Sequence, residues 1–244
     1  SLHEALPIWL KAVNRRNVTA EEIDDAIVWA GARDIPAHTE LIFGMPHETR
    51  EDFTDQLNRS IKRGFDSVKI NNLFLMDGIE LNRPDVRKKY GIKTKYRILG
   101  TNYGKHKDTF LAEHEEIVVA TDSFTYEDFL EIRNLNFMFF TVFHLSFQKW
   151  FFQFVRHKGI SLTEYFSRFM KPDRDLNWPE GYLRFVDDFK SAVEGELFNT
   201  RAEVVAKVKE IFTANGNDVG EPTRINNNFG ARLNYIESKW VKSV

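Results

Sequence analysis

The stretch TELIFGMPHETREDF, Thr39 to Phe53, decides how the rest of this chain is read. Leu41, Ile42 and Phe43 form the short apolar run of a buried strand, and Gly44, Met45 and Pro46 break it with a turn. Thr49 followed by Asp52 has the spacing of a helix N-cap and its reciprocal acceptor. Strand, tight turn and helix start in immediate succession make one βα unit. In α/β folds ligands gather at the carboxyl ends of such strands.

Upstream, Thr19 with Glu22 forms a second capping box, and Ile23, Ile27, Val28 and Ala30 give the helix it opens an apolar face. Before it, Leu6, Trp9, Leu10 and Val13 also fall at helical spacing. Downstream, Phe53, Leu57 and Ile61 form the buried stripe of the helix after the turn, and Gly64 closes it. Residues 67–75, SVKINNLFL, read as a second strand, so strand, helix and strand imply a parallel βαβ crossover. MDGIEL follows as a turn. Arg83 to Ile98 is charged, with a short helical piece from Val86 to Tyr90 and a segment YGIKTKYRI that could be extended, and is a surface loop by default; 115–120 reads as one more short strand.

From Thr125, which with Asp128 has the spacing of a third capping box, the pattern becomes helical throughout, beginning with Phe129, Ile132, Leu135 and Phe139 and ending with LNYIESKWV. The expected class is therefore α/β, the last βα units of a partial TIM-type barrel over residues 1–123, followed by an all-α domain over residues 124–244.

Charge chooses no partner: 34 basic against 36 acidic residues leave a net charge of -2, with no global attraction for nucleic acid or an anionic membrane. With no apolar run long enough for a membrane span and no secretory leader at the start, the expected location is the cytoplasm. Cysteine is absent, which rules out disulfides and any thiolate-held zinc or iron–sulfur site within this chain.

At the turn, Gly44 would let backbone approach a planar ligand, while Glu48 and Thr49 put an acceptor and free N–H groups at a helix start. The rival reading is a structural βα turn with a capped helix, and spacing alone leaves both open. Of the scattered histidines only His47 lies inside the turn, where a ring could stack on a bound base; no pair has the spacing of a zinc motif. The adjacent carboxylates Glu115 and Glu116, like Asp187 and Asp188, point to different faces and are expected to be solvated. The aromatic run FMFFTVFHLSFQKWFFQF is expected to be helical core. A GxSxG elbow, a phosphate loop and a GxGxxG fingerprint are all missing.

Taken together, SLHEALPIWLKAVNRRNVTAEEIDDAI, ELIFGMPHETREDF, GFDSVKINNLFLMDGIEL and RKKYGI resemble the second half of the barrel of a radical S-adenosylmethionine enzyme. The likeness is greatest to the branch with an N-terminal cobalamin-binding domain, and it covers residues 1–120. His47 stands where that family usually has glycine, Glu40 where its adenine-side motif begins with glycine, Glu48 falls one place late, and Asp77 and Ile79 replace a proline and a threonine.

The resemblance implies that Ile42, Gly44, Met45, Pro46 and Glu48 lie on the adenine side of an S-adenosylmethionine site, Ser1 or His3 near its ribose, and Leu73 and Leu75 beside them. It implies S-adenosylmethionine and a [4Fe-4S] cluster as cofactors of the parent protein, with cobalamin and methyl transfer as its branch-specific extension. No catalytic residue and no metal ligand is assigned to this chain. Without the CxxxCxxC motif the chain is expected to be an inert fragment, and its unpaired strand edges to promote homodimers. Two alternatives stand beside this: a non-catalytic α/β and helical partner-binding module, and an unrelated barrel enzyme using Glu48 or His47 as a base.

Overall fold

The computed structural model describes residues 18–144, 154–155 and 157–216. Helix α1 (Ala20–Gly31) leads to strand β1 (His38–Phe43), helix α2 (Arg50–Arg63) and strand β2 (Ser67–Asn72). A 3-10 turn and the short helix α3 (Pro84–Lys89) precede a long hairpin of β3 (Lys93–His106) and β4 (Thr109–Ala120). Helix α4 (Tyr126–Met138) runs on as a π-helical segment (Phe139–His144), followed by α5 (Leu162–Met170), α6 (Glu180–Gly195) and α7 (Arg201–Ala214). The helical stripe at Leu6 to Val13 and the segment LNYIESKWV lie outside the described residues.

Local sequence explains the element starts. Thr19, Thr49 and Thr125 each accept from the backbone N–H three residues on, and Glu22, Asp52 and Asp128 each reach back to the cap, so three capping boxes fall where the sequence reading put them. Gly64 ends α2 in the left-handed region, φ 111°. In α2 the buried residues Phe53, Leu57 and Ile61 recur every fourth position and pack on the parallel β1–β2 ribbon, where Phe43 meets Phe53 edge to face at 5.1 Å between ring centroids.

The charged stretch after β2 departs in part from expectation: the extended segment in YGIKTKYRI and the strand at 115–120 are present, but they belong to one hairpin with strands of 14 and 12 residues, and the stretch is not a surface loop. Its long-range pairing explains the departure. Leu75 N–H donates to the Glu116 carbonyl at 2.7 Å and Val118 N–H to the Leu73 carbonyl at 2.9 Å, so the chain leaving β2 turns against β4. On the hairpin's other side Tyr96 and Phe198 exchange two backbone hydrogen bonds of 2.8 Å. No local pattern announces partners that distant in sequence.

The core is continuous from Leu41 to Val193. Helix α4 lies in its middle, buried at Phe129, Ile132, Leu135, Phe137 and Met138, and contacts α2, β2, β4, α5 and α6. Of the aromatic run, Phe137, Phe139 and Phe143 are buried, with Phe139 edge-on to Phe166 and Phe137 close to Phe189; residues 145–153 lie outside the described set. A smaller cluster, Tyr103, Val204, Val208 and Phe212, fixes α7 to the hairpin. No described helix is long and apolar enough to cross a membrane.

The two edges of the ribbon differ. Among the described residues β1 pairs only with β2, so its outer edge is open, and the described strands form two two-stranded sheets without a closed barrel. On β2 the Ile70 carbonyl accepts from the Asn136 side-chain amide of α4 at 2.8 Å. Asn136→Ala leaves that carbonyl without its donor and is expected to cost about 1 kcal/mol in urea unfolding; Asn136→Asp, which keeps the shape but not the donor, should lose at least as much.

Candidate functional site

The turn at the carboxyl end of β1 is closed by its own carboxylate. Glu48 Oε2 accepts from the N–H groups of Gly44 at 3.0 Å and Met45 at 3.2 Å, while Glu48 N–H donates to the Met45 carbonyl at 3.1 Å. The side chain is fully buried, and Oε1 has no hydrogen-bond partner among the described residues. Burial pushes the Glu48 carboxyl up to about 7; the two backbone donors pull the other way, and nearby Asp52 adds to the rise.

Gly44 has φ 111°, and a Cβ there would stand 3.3 Å from the Leu73 Cβ and 3.7 Å from Val118 and Phe124. The close approach that needs glycine is thus made by this chain's own side chains. Met45 and Pro46 are buried beside it, whereas His47 is exposed. His47 also holds a left-handed backbone at φ 67°, a conformation that costs a non-glycine residue about 1 kcal/mol. Its ring meets that of Tyr90 edge to face at 5.2 Å.

Tyr90 lies in a loop that closes over this end of β1. Its carbonyl accepts from Asp122 N–H at 3.0 Å, and Gly91 passes so close to the Asp122 carboxylate that a Cβ would fall 1.9 Å from Oδ1. Phe124, from the same turn, packs on Phe43 at 4.7 Å. The β1 turn, the end of α3 and the 121–124 turn therefore meet at one junction. Motif reading missed Tyr90, Asp122 and Phe124, since nothing local in their stretches marks a meeting of three loops.

At the end of β2, Leu73 and Leu75 point into the core, while Phe74 and Met76 are exposed. Ile42 is half-buried on the ribbon face away from α2. On that face His38 Nδ1 pairs with the Ser67 hydroxyl, and Glu40 accepts from Lys69 Nζ at 3.2 Å and from the Asn71 amide at 3.0 Å. The candidates Ile42, Gly44, Met45, Pro46, Glu48, Leu73 and Leu75 thus gather around the carboxyl ends of the two strands; Ser1 and His3 lie outside the described residues.

One expectation is overturned at Glu116, which is not a solvated surface carboxylate. It is 4% exposed, forms an ion pair with Arg87 at 2.8 Å, accepts from the Thr94 hydroxyl at 2.7 Å and has Arg201 at 3.7 Å. Burial raises the carboxyl, but the hydrogen bonds from Thr94 and Arg87 and the Arg87 charge outweigh it and leave Glu116 below the usual range. This pair ties α3 to the hairpin. Among the described residues no three histidines, aspartates or glutamates converge in a way that could hold a metal ion.

No protein-family model matches the chain. It is 26% identical over 205 residues, 83% of its length, to a cobalamin-dependent radical SAM methyltransferase, TokK, of Streptomyces tokunonensis. The match spans 27% of that protein. The relation is distant, and the chain contains no cysteine for a cluster.

Glu48 gives this site a pH signature. Because its folded pKa, about 7, exceeds the ordinary 4.5, the folded state holds a proton that the unfolded chain releases. Its contribution is fully present below 4.5 and is lost as pH rises through about 7. Urea midpoints should fall over that window by an amount equivalent to roughly 3 kcal/mol. Glu48→Gln should flatten that part of the profile while keeping the turn.

Proposed function

We propose that this chain is the carboxyl-proximal part of a radical S-adenosylmethionine enzyme, whose whole protein carries out cobalamin-dependent methyl transfer on a small molecule in the cytoplasm. The observation that carries the reading is the likeness of 83% of the chain to a methyltransferase of that type. Two features of the fold support it: a parallel βαβ unit with its turn at the strand ends, and a ribbon with one edge capped and, among the described residues, the other open.

On this reading residues 1–123 are the last βα units of a barrel and residues 124–244 a helical accessory domain. The open edge of β1 takes a neighbouring barrel strand, and in the isolated chain it takes a second copy. Ile42, Gly44, Met45, Pro46 and Glu48 form the adenine side of the cofactor site, Ser1 or His3 the ribose side, and Leu73 and Leu75 the apolar backing.

The residues fit the three groups unequally. The turn offers an uncharged planar base apolar surface at Ile42, while the Gly44 and Met45 amides and the buried Glu48 carboxyl are taken up in holding that turn in shape behind it. A [4Fe-4S] cluster does not fit, because its thiolate ligands are absent, and no step is routed through it in this chain. No residue is assigned to cobalamin. The chain's own part is to bind and orient the nucleoside.

A second reading, a partner-binding module, draws on the exposed apolar residues Val28, Trp29 and Ile35 around α1. The full-length gene product decides between them. It should carry CxxxCxxC upstream, show an iron–sulfur absorption band after reconstitution, and form 5′-deoxyadenosine from S-adenosylmethionine. A product without that motif, or one that forms no 5′-deoxyadenosine, would sink the enzyme reading.

A further inference from the structure

We propose that His47 supplies the stacking surface for the nucleoside base, with Tyr90 as the positioning residue that holds its ring; the inference rests on the S-adenosylmethionine reading and assigns that site a residue of its own. His47 keeps a side chain where the backbone, at φ 67°, would be relaxed only with glycine. Asp34 and Lys107 share a positive φ at a helix end and at the tip of the β3–β4 hairpin, where the turn explains the conformation. At His47 the β-turn Met45–Glu48, closed by Glu48 N–H on the Met45 carbonyl at 3.1 Å with Pro46 at its second position, sets the backbone in the same way, so what distinguishes this residue is the ring it carries and where that ring stands.

The surroundings fix where that ring stands. The residues on either side, Pro46 and Glu48, are buried, Glu48 is bonded to the turn's own amides, and the imidazole makes no hydrogen bond among the described residues. Its contact is with Tyr90, at 88° between ring planes. Tyr90 is itself 8% exposed, covered by Lys89 Nζ at 4.8 Å from its ring centroid and anchored through its carbonyl to Asp122. A buried, anchored ring therefore braces an exposed one, which stands at the carboxyl end of β1. An exposed aromatic surface held in one orientation fits a planar, uncharged heterocycle such as adenine, for which stacking needs no charge and no matched donor.

The test uses the reconstituted full-length protein, with dissociation constants measured by equilibrium dialysis for S-adenosylmethionine, adenosine and methionine. His47→Gly relaxes the backbone and removes the ring, so it should fold at least as stably while binding S-adenosylmethionine and adenosine roughly tenfold more weakly. Methionine binding should not change. His47→Phe should restore both nucleoside affinities, and Tyr90→Leu should weaken them while leaving methionine unaffected. A merely structural His47 would move all three ligands together or none. If wild type binds S-adenosylmethionine and His47→Gly binds it equally well, this inference fails alone; a wild type that binds neither S-adenosylmethionine nor adenosine overturns the parent reading and this one with it.

Discussion

The hydrogen bonds from Gly44 and Met45 to the Glu48 carboxylate are the constraint on which this structure turns. They reverse the chain within a few residues, so that α2 starts directly over the strand it follows and Phe53 can meet Phe43. A turn closed by a flexible polar loop would leave the entry angle of α2 free. A buried carboxylate with one oxygen unpaired is costly, and its cost is offset by the two backbone donors it satisfies and by the apolar ribbon–helix contact it makes possible.

Around that turn the molecule is tied together by residues far apart in sequence. Asn136 of α4 caps the edge of β2, Glu116 of the hairpin binds Arg87 of α3, and Asp122 fixes the loop that brings Tyr90 to His47. The core accordingly runs without interruption from the βαβ unit into the helices. The ends of β1 and β2 are supported from behind by the hairpin, whose Val118 fills the space beside Gly44. What is left for a ligand at these strand ends is the exposed surface: His47, Phe74, Met76 and the half-buried Ile42.

That distribution suits a nucleoside-binding wall better than a reacting centre. The polar groups at the turn are consumed in holding the backbone, and the remaining surface is aromatic or aliphatic. Chemistry on this reading comes from cofactors held elsewhere in a longer protein, of which the matched relative is nearly four times as long as the region it shares with this chain.

Much of the architecture was legible locally. Three capping boxes, the αL glycine after α2, the apolar stripe Phe53, Leu57 and Ile61, and the βαβ order all follow from short-range patterns, because caps and periodicity are interactions within one turn or one face. The position of the turn after β1 was legible for the same reason. The length and pairing of the hairpin, the burial of Glu116, the outward aim of Phe74 and the His47–Tyr90 pair were not. Each depends on which distant strand or loop arrives alongside, and hence on closing long stretches of chain, a choice made by the packing of the whole and written in no single stretch of residues. The sequence by itself determined where strands turn into helices; only the tertiary structure decided which side chains those turns leave open to a partner.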